Sequence, residues 1–355
     1  MKFEQKYPDS NSLDRFEFEY SFVTKTPKLG ACRWCNSMTR WIDVLFATPV
    51  CSEECGGQMW AQYRDDQKVK STYENFEDHF KQVRDEMLYV EDSRDAWKDI
   101  LIVVRDQLEY FKQAIESIQE HTTKYNLLIW DNASGTETKE YIDELVNKWH
   151  KADDPNWNIE VVTCAKNAGF NEPNNALAEC ATGEYMILLN SDCKVFEGWD
   201  KAMLGFLQKN PETKQVGYWG GHLNADGRGF GGENGYDIDY VPGWCFCISK
   251  DTYQEFGLFN KQLKFAYCED ADLSLRLKEA GHRIYALYAP LVHHFQNKTI
   301  KTVEKEGEVD VRATFAHNHE YIKLRWAHYI EHDRVLLHRK PLEGMESNVV
   351  ETVDP

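Results

Sequence analysis

The chain has 355 residues, room for one large α/β domain and a small appendage, and its 42% hydrophobic and 13% aromatic content excludes global disorder. A net charge of −18 opposes approach to polyanions in general. No run approaches the roughly 18 apolar residues of a membrane span, and residues 1–6 lack the apolar core of a signal peptide, so the expected location is a cytoplasm, that of the host if the source is viral.

In chain order the sequence divides into an N-terminal segment with clustered cysteines (1–60), a helical linker (61–97), a large α/β domain (98–300), a helical extension (301–341) and an acidic tail (342–355). Four of the ten cysteines lie in the first segment, as Cys32-Arg33-Trp34-Cys35 and Cys51-Ser52-Glu53-Glu54-Cys55, separated by fifteen residues. Two close thiolate pairs can supply the four soft tetrahedral ligands of a structural Zn²⁺, with no open position left for catalysis. The pattern resembles a treble-clef finger. Around it, Lys25, Lys28, Arg33 and Arg40 outnumber Asp43, a local balance of +3. The other six cysteines are scattered, as reduced cysteines in a cytosolic enzyme would be.

Tyr73, Phe76, Phe80, Val83 and Met87 recur at helical spacing in the linker. From residue 100 onward strand and helix patterns alternate. Strands are expected at 100–104, 126–130, 159–162 and 184–189, and helices at 109–120, 139–150 and 174–180. That rhythm predicts a mostly parallel sheet with its ligand loops at the carboxyl ends of the strands, where Asp131, Ser134, Asn167 and Asp192 gather. A further strand is expected at 284–288 and a helix at 311–334. Gly227-Arg228-Gly229-Phe230-Gly231-Gly232 has no following Lys-Ser/Thr and no preceding strand, so it reads as a hairpin rather than a phosphate loop.

Five motifs occur in order: Asp131-Asn132-Ala133-Ser134; Asn167-Ala168-Gly169-Phe170 with Asn175; Leu189-Asn190-Ser191-Asp192; Glu269-Asp270-Ala271-Asp272-Leu273-Ser274-Leu275-Arg276; and His293-His294. Together they resemble family 2 of the inverting GT-A glycosyltransferases, from about residue 100 to 299. The resemblance implies a GT-A fold, the Rossmann-like, mostly parallel sheet of nucleotide-diphospho-sugar transferases, here joined to an N-terminal four-cysteine zinc module and a C-terminal helix. It implies a donor site of Asp131, Ser134, Asn167, Asn175, Asn190 and Asp192, with Asp131 as the contact to the nucleotide base. A catalytic Mn²⁺ or Mg²⁺ would be held by Asp192 with His293 or His294. Asn190 stands where the family's metal motif often has Asp. Asp270 is implied as the base and Glu269 as its neighbour at the acceptor or donor. Arg105-Asp106 departs from the family's usual turn, leaving open which residues hold base and ribose.

Elementary chemistry agrees. The leaving diphosphate needs a hard cation with oxygen ligands, inversion needs a base beside the anomeric carbon, and neighbouring carboxylates raise one another's pKa. Asp272 and Arg276, four apart on a helix, are expected to form a structural ion pair. The expected function is therefore metal-dependent, inverting transfer of a sugar, from a UDP-sugar or similar nucleotide-sugar donor, to a saccharide hydroxyl. Two other readings stand beside it. One is a phage-type enzyme glycosylating a 5-hydroxymethylated pyrimidine in DNA, which the zinc module and its local +3 would suit. The other is an inactive nucleotide-sugar-binding module.

Overall fold

The computed structural model describes residues 93–152, 154–224, 227–295 and 310–336, with short pieces at 15–17, 22–31, 38–43, 48–49, 85–86 and 88–90. Near the N-terminus, β1 (Arg15–Glu17), β2 (Phe22–Ala31), β3 (Met38–Asp43) and β4 (Thr48–Pro49) pair in that order as an antiparallel meander. Cys32, Cys35, Cys51 and Cys55 lie outside the described residues, as do most of the expected linker, residues 301–309 and the acidic tail.

The central sheet starts at β5 (Lys98–Val104). Ile100, Leu101 and Ile102 are all fully buried, because this strand is covered on both faces; that is why it reads as a continuous apolar run rather than an alternating one. After it come α1 (Leu108–His121), β6 (Tyr125–Asn132), α2 (Thr136–Ala152), β7 (Trp157–Cys164), α3 (Asn171–Cys180) and β8 (Tyr185–Leu189). The chain continues through β9 (Cys193–Val195), α4 (Trp199–Lys209) and β10 (Thr213–Tyr218) to the hairpin β11 (Gly220–Leu223) and β12 (Gly229–Glu233). It closes with β13 (Cys245–Ser249), α5 (Lys250–Phe256), α6 (Glu269–Glu279), β14 (Arg283–Leu287), β15 (Val292–His294) and α7 (Val311–Leu336). Every strand and helix expected between 100 and 334 is present, with ends shifted by a few residues, and the Gly-rich stretch forms the hairpin.

The seven strands lie in the order β14-β10-β13-β8-β5-β6-β7. Only β13 runs against the rest, paired antiparallel with both β8 and β10. Ile100, Ile102, Leu127 and Ile129 face one layer with Phe111, Ile115, Trp199 and Met203, while Leu101 and Leu128 face the other with Leu177, Leu273 and Leu277. Helices α1, α2 and α4 therefore cover one face, and α3 and α6 the other, as in a doubly wound sheet. The order reverses between β5 and β8, which opens a crevice at their carboxyl ends. Since β13 runs backwards, the loop before it reaches that same edge. Among the described residues no helix is long and apolar enough to cross a membrane.

Candidate active site

At that edge lies a cavity of about 250 Å³. Val103 and Arg105 reach it from the end of β5, Asn132 from β6, Asn167, Gly169 and Phe170 from the turn after β7, and Asn190, Ser191 and Asp192 from the end of β8. Pro242, Gly243 and Trp244 arrive on the loop before β13, Phe265 to Tyr267 on the approach to α6, Glu269 and Asp270 at its start, and His294 on β15.

Strand pairing brings His294 to Asp192. β15 runs antiparallel to β9 with His294 opposite Cys193 and His293 opposite Lys194. Successive side chains on a strand point to opposite faces, so only one of the two histidines can turn toward the cavity, and it is His294. Its Nε2 stands 3.1 Å from Asp192 Oδ1, and its ring stacks on Trp244 at 5.2 Å and 13°. Asn190 Nδ2 is 3.5 Å from the same Nε2, while the Asn190 amide donates to Trp244 O at 2.9 Å. His293 packs edge-on against Phe295, away from the lining. Asp192, Cys193 and His294 form a group of the size that holds a metal ion. Cys193 is a poor third ligand for a hard cation: burial, then the charge of Asp192, pushes its thiol well above the usual range, and its Sγ–H points at Trp244 O. The donor set that fits is one carboxylate oxygen and one imidazole nitrogen.

Glu269 and Asp270 open α6. Asp270 accepts from the Gly243 amide at 2.9 Å and from the Ala271 amide at 2.8 Å. Burial raises its pKa, and these two donors pull it back. Glu269 is held well above the carboxylate range, first by burial and then by the charge of Asp270, and its Oε2 is buried with no hydrogen-bond partner among the described residues. A carboxyl whose folded pKa is raised contributes stability that is full below its unfolded pKa and lost as pH rises through the folded value. Glu269→Gln is therefore expected to raise Tm by about 2–4 °C at pH 8, the shift that 1 kcal/mol makes in a domain of this size. Thermal melts at pH 8 and pH 4.5 check this, the gain shrinking at the lower pH.

The segment before α6 is strained: Phe265, Tyr267 and Cys268 have φ of 59°, 77° and 69°. Residues in this left-handed region cost on the order of 1 kcal/mol each, and persist where the surroundings impose the conformation. Phe265 O accepts from the amides of Phe170 and Asn171 and so caps the start of α3. At Gly169, with φ +82°, a Cβ would come within 2.6 Å of Phe265 O, so the close approach of these two loops requires glycine.

Of the expected site residues, Asn167, Asn190, Asp192, Glu269, Asp270 and His294 line one cavity, and Asp131, Ser134, Asn175 and His293 do not. Asp131 is fully buried, and its Oδ1 accepts from the Ser134 amide at 2.8 Å, shaping the turn after β6. Ser134 Oγ accepts from the Asp106 amide at 3.0 Å, tying that turn to the end of β5. Asn175 makes two hydrogen bonds to the backbone of Phe259, joining α3 to the loop after α5. At the ends of β5 and β6 it is Arg105 and Asn132 that reach the wall. Asn132 Nδ2 donates to Asn167 Oδ1 and Gly169 O, both at 2.8 Å, and Arg105 Nη1 donates to the carbonyls of Asn132 and Ala133. Asp272 forms the expected pair with Arg276, at 2.8 Å, and its other oxygen accepts from Trp326 Nε1 on α7 at 3.0 Å. Trp244 and Phe265 carry no signal in sequence that marks them as site residues.

Comparison with known proteins agrees with this architecture. Residues 99–228 match the profile described as glycosyl transferase family 2, and residues 234–309 that of glycosyltransferase like family 2, together more than half of the chain. The central domain belongs to glycosyltransferase family 2. Polypeptide N-acetylgalactosaminyltransferase 18 of Homo sapiens is 22% identical over 228 residues, covering 56% of this chain and 37% of that protein. Its Mus musculus counterpart is 23% identical over 214 residues, covering 52% and 34%. This chain thus matches little more than a third of the length of these relatives. A crystal structure of GalNAc-T7 with UDP, GalNAc and Mn²⁺ shares the fold, with a TM-score of 0.52 at 15% identity, over 70% of this chain and 59% of that one.

Proposed function

We propose that the family 2 domain transfers a sugar from a nucleoside-diphosphate donor, a UDP-sugar first, to a hydroxyl acceptor in one inverting displacement. The observation that carries this reading is the meeting in one cavity of the Asp192–His294 pair with the Glu269–Asp270 carboxylates. Asp192 and His294 would hold Mn²⁺ or Mg²⁺. When bound, the cation neutralises charge on the leaving diphosphate. The Trp244 ring, stacked on His294, fixes the imidazole and screens one of its faces. Asp270 takes the proton of the attacking hydroxyl as that oxygen bonds to the anomeric carbon and the bond to the diphosphate breaks on the opposite side. Glu269, whose pKa is raised by burial and by the charge of Asp270, stands beside the base in the cavity wall, where it would position the acceptor. Asn132, Asn167 and Arg105 line the part of the cavity nearest β5 and β6, where the nucleotide would lie.

A saccharide hydroxyl is the first acceptor class. The test is a screen of UDP- and TDP-sugars for transfer in Mn²⁺, with saccharides, Ser/Thr peptides and duplex DNA carrying 5-hydroxymethylcytosine as acceptors. Transfer to the modified DNA alone would replace the saccharide reading with the DNA reading, and no donor turnover with any acceptor would leave a binding module.

The zinc assignment to Cys32, Cys35, Cys51 and Cys55 rests on their spacing. One Zn²⁺ per chain is expected by elemental analysis of reduced protein, and zinc-free protein would end the assignment. Cys51→Ser is expected to abolish zinc binding while the central sheet keeps its cooperative melt.

A further inference from the structure

Helix α7 follows the matched profiles, which end at residue 309. It nevertheless reaches the cavity wall: Phe315 packs edge-on against Tyr267 at 5.2 Å, and Asn318 binds the backbone beside it. Asn318 is fully buried, and its Nδ2 donates to the carbonyls of Lys264, Ala266 and Tyr267 at 2.8, 2.9 and 3.0 Å, while its Oδ1 accepts from the Lys264 amide at 2.9 Å. These are the backbone groups of the left-handed segment that runs into Glu269 and Asp270. The other side of the segment is held by Phe265 O at the start of α3. Further contacts seat α7: Tyr321 OH accepts from Asn260 Nδ2 at 2.6 Å, Trp326 Nε1 donates to Asp272 at 3.0 Å, and Arg325 pairs with Glu279 at 2.9 Å.

We propose that Asn318 is a positioning residue for transfer, its side-chain amide holding the 264–267 segment in the conformation that sets Tyr267, Glu269 and Asp270 in the cavity wall. The inference rests on the reading of Asp270 as base. A carboxamide suits this set of partners, since one nitrogen with two hydrogens serves three carbonyls and one oxygen on the same short stem takes the remaining amide. A carboxylate there would keep the shape and turn oxygen toward three carbonyl oxygens. Asp192 and His294 stand on β8's end and β15, outside this network, so donor binding is separable from it.

Asn318→Asp is the main variant, and Asn318→Ser, which keeps a single donor, the second should the first not fold. Three quantities are measured on the full chain in Mn²⁺: kcat against KM for the acceptor across pH, Kd for UDP by titration calorimetry, and hydrogen–deuterium exchange of the peptide spanning 264–271. The expected result is a kcat reduced about tenfold or more, a displaced acid limb of the pH profile, and Kd for UDP within about twofold of the parent. Exchange is expected to accelerate in 264–271 and not in β5 or β6. A folded variant with parental kcat, pH profile and exchange in 264–271 overturns the proposal, as does equal loss of UDP binding and kcat. The exchange measurement does not depend on turnover. If Asp270→Asn leaves the rate intact while Asn318→Asp loosens 264–271, the base assignment has failed and the support of this segment stands.

Discussion

Asp270→Asn is expected to lower kcat by about 10²-fold or more, the usual scale for loss of a general base. The amide keeps the volume and one of the two hydrogen bonds that Asp270 accepts from Gly243 and Ala271, but cannot take a proton. Kd for the donor is expected to change little, since Asp192 and His294 stand on other elements. Burial raises the Asp270 pKa, and only the ionised form is a base, so parental activity should fall as the pH is lowered, with a midpoint above the ordinary carboxylate range. This acid limb should vanish in the variant. Glu269→Gln is expected to lose less rate and to act on acceptor KM. Product of retained configuration, measured by NMR of the new glycosidic bond, would refute a single displacement.

The second large effect is expected at Asp192. Asp192→Ala removes the carboxylate oxygen that stands 3.1 Å from His294 Nε2 at the cavity. Losing cation-mediated charge stabilisation costs several kcal/mol, so turnover should fall about 10³-fold or more. Donor binding should weaken with it, unlike the Asp270 case. Excess chelator on the parent protein should give the same loss, reversed by Mn²⁺. Full activity in chelator, or an Asp192→Ala variant that binds donor normally, would exclude a cation at this position.

The contrast between these residues shows which parts of the site were legible in sequence. β5, β6 and β8 were readable because strands buried on both faces leave continuous apolar runs, and strand ends mark themselves by the polar residues that follow. Asp192 sits at such an end, and both it and Asp270 lie in motifs. Choosing between His293 and His294 required the pairing of β15 with β9, a register set between residues far apart in the chain. Asp131 follows the same strand-end rule as Asp192, yet it turns inward to cap its own turn, a choice of rotamer that no local pattern encodes. Cys245-Phe246-Cys247-Ile248 is an ordinary apolar run in sequence; its insertion backwards between β8 and β10, which delivers Gly243 and Trp244 to the cavity, is a tertiary decision. Asn318 was the least visible, one polar residue in a polar helix whose meaning lies wholly in the backbone it meets.

The pairing of β9 with β15 also bears on when the site comes into being. Asn190 and His294 are 104 positions apart, and the carboxylates of α6 fall between them. A ribosome delivers β5 to β8, with Arg105, Asn132 and Asp192, before the carboxylates of α6 and His294 are made. Such a nascent chain has a sheet on which to fold but neither base nor imidazole. On the proposed mechanism, transfer therefore waits until the last third of the domain is translated and packed.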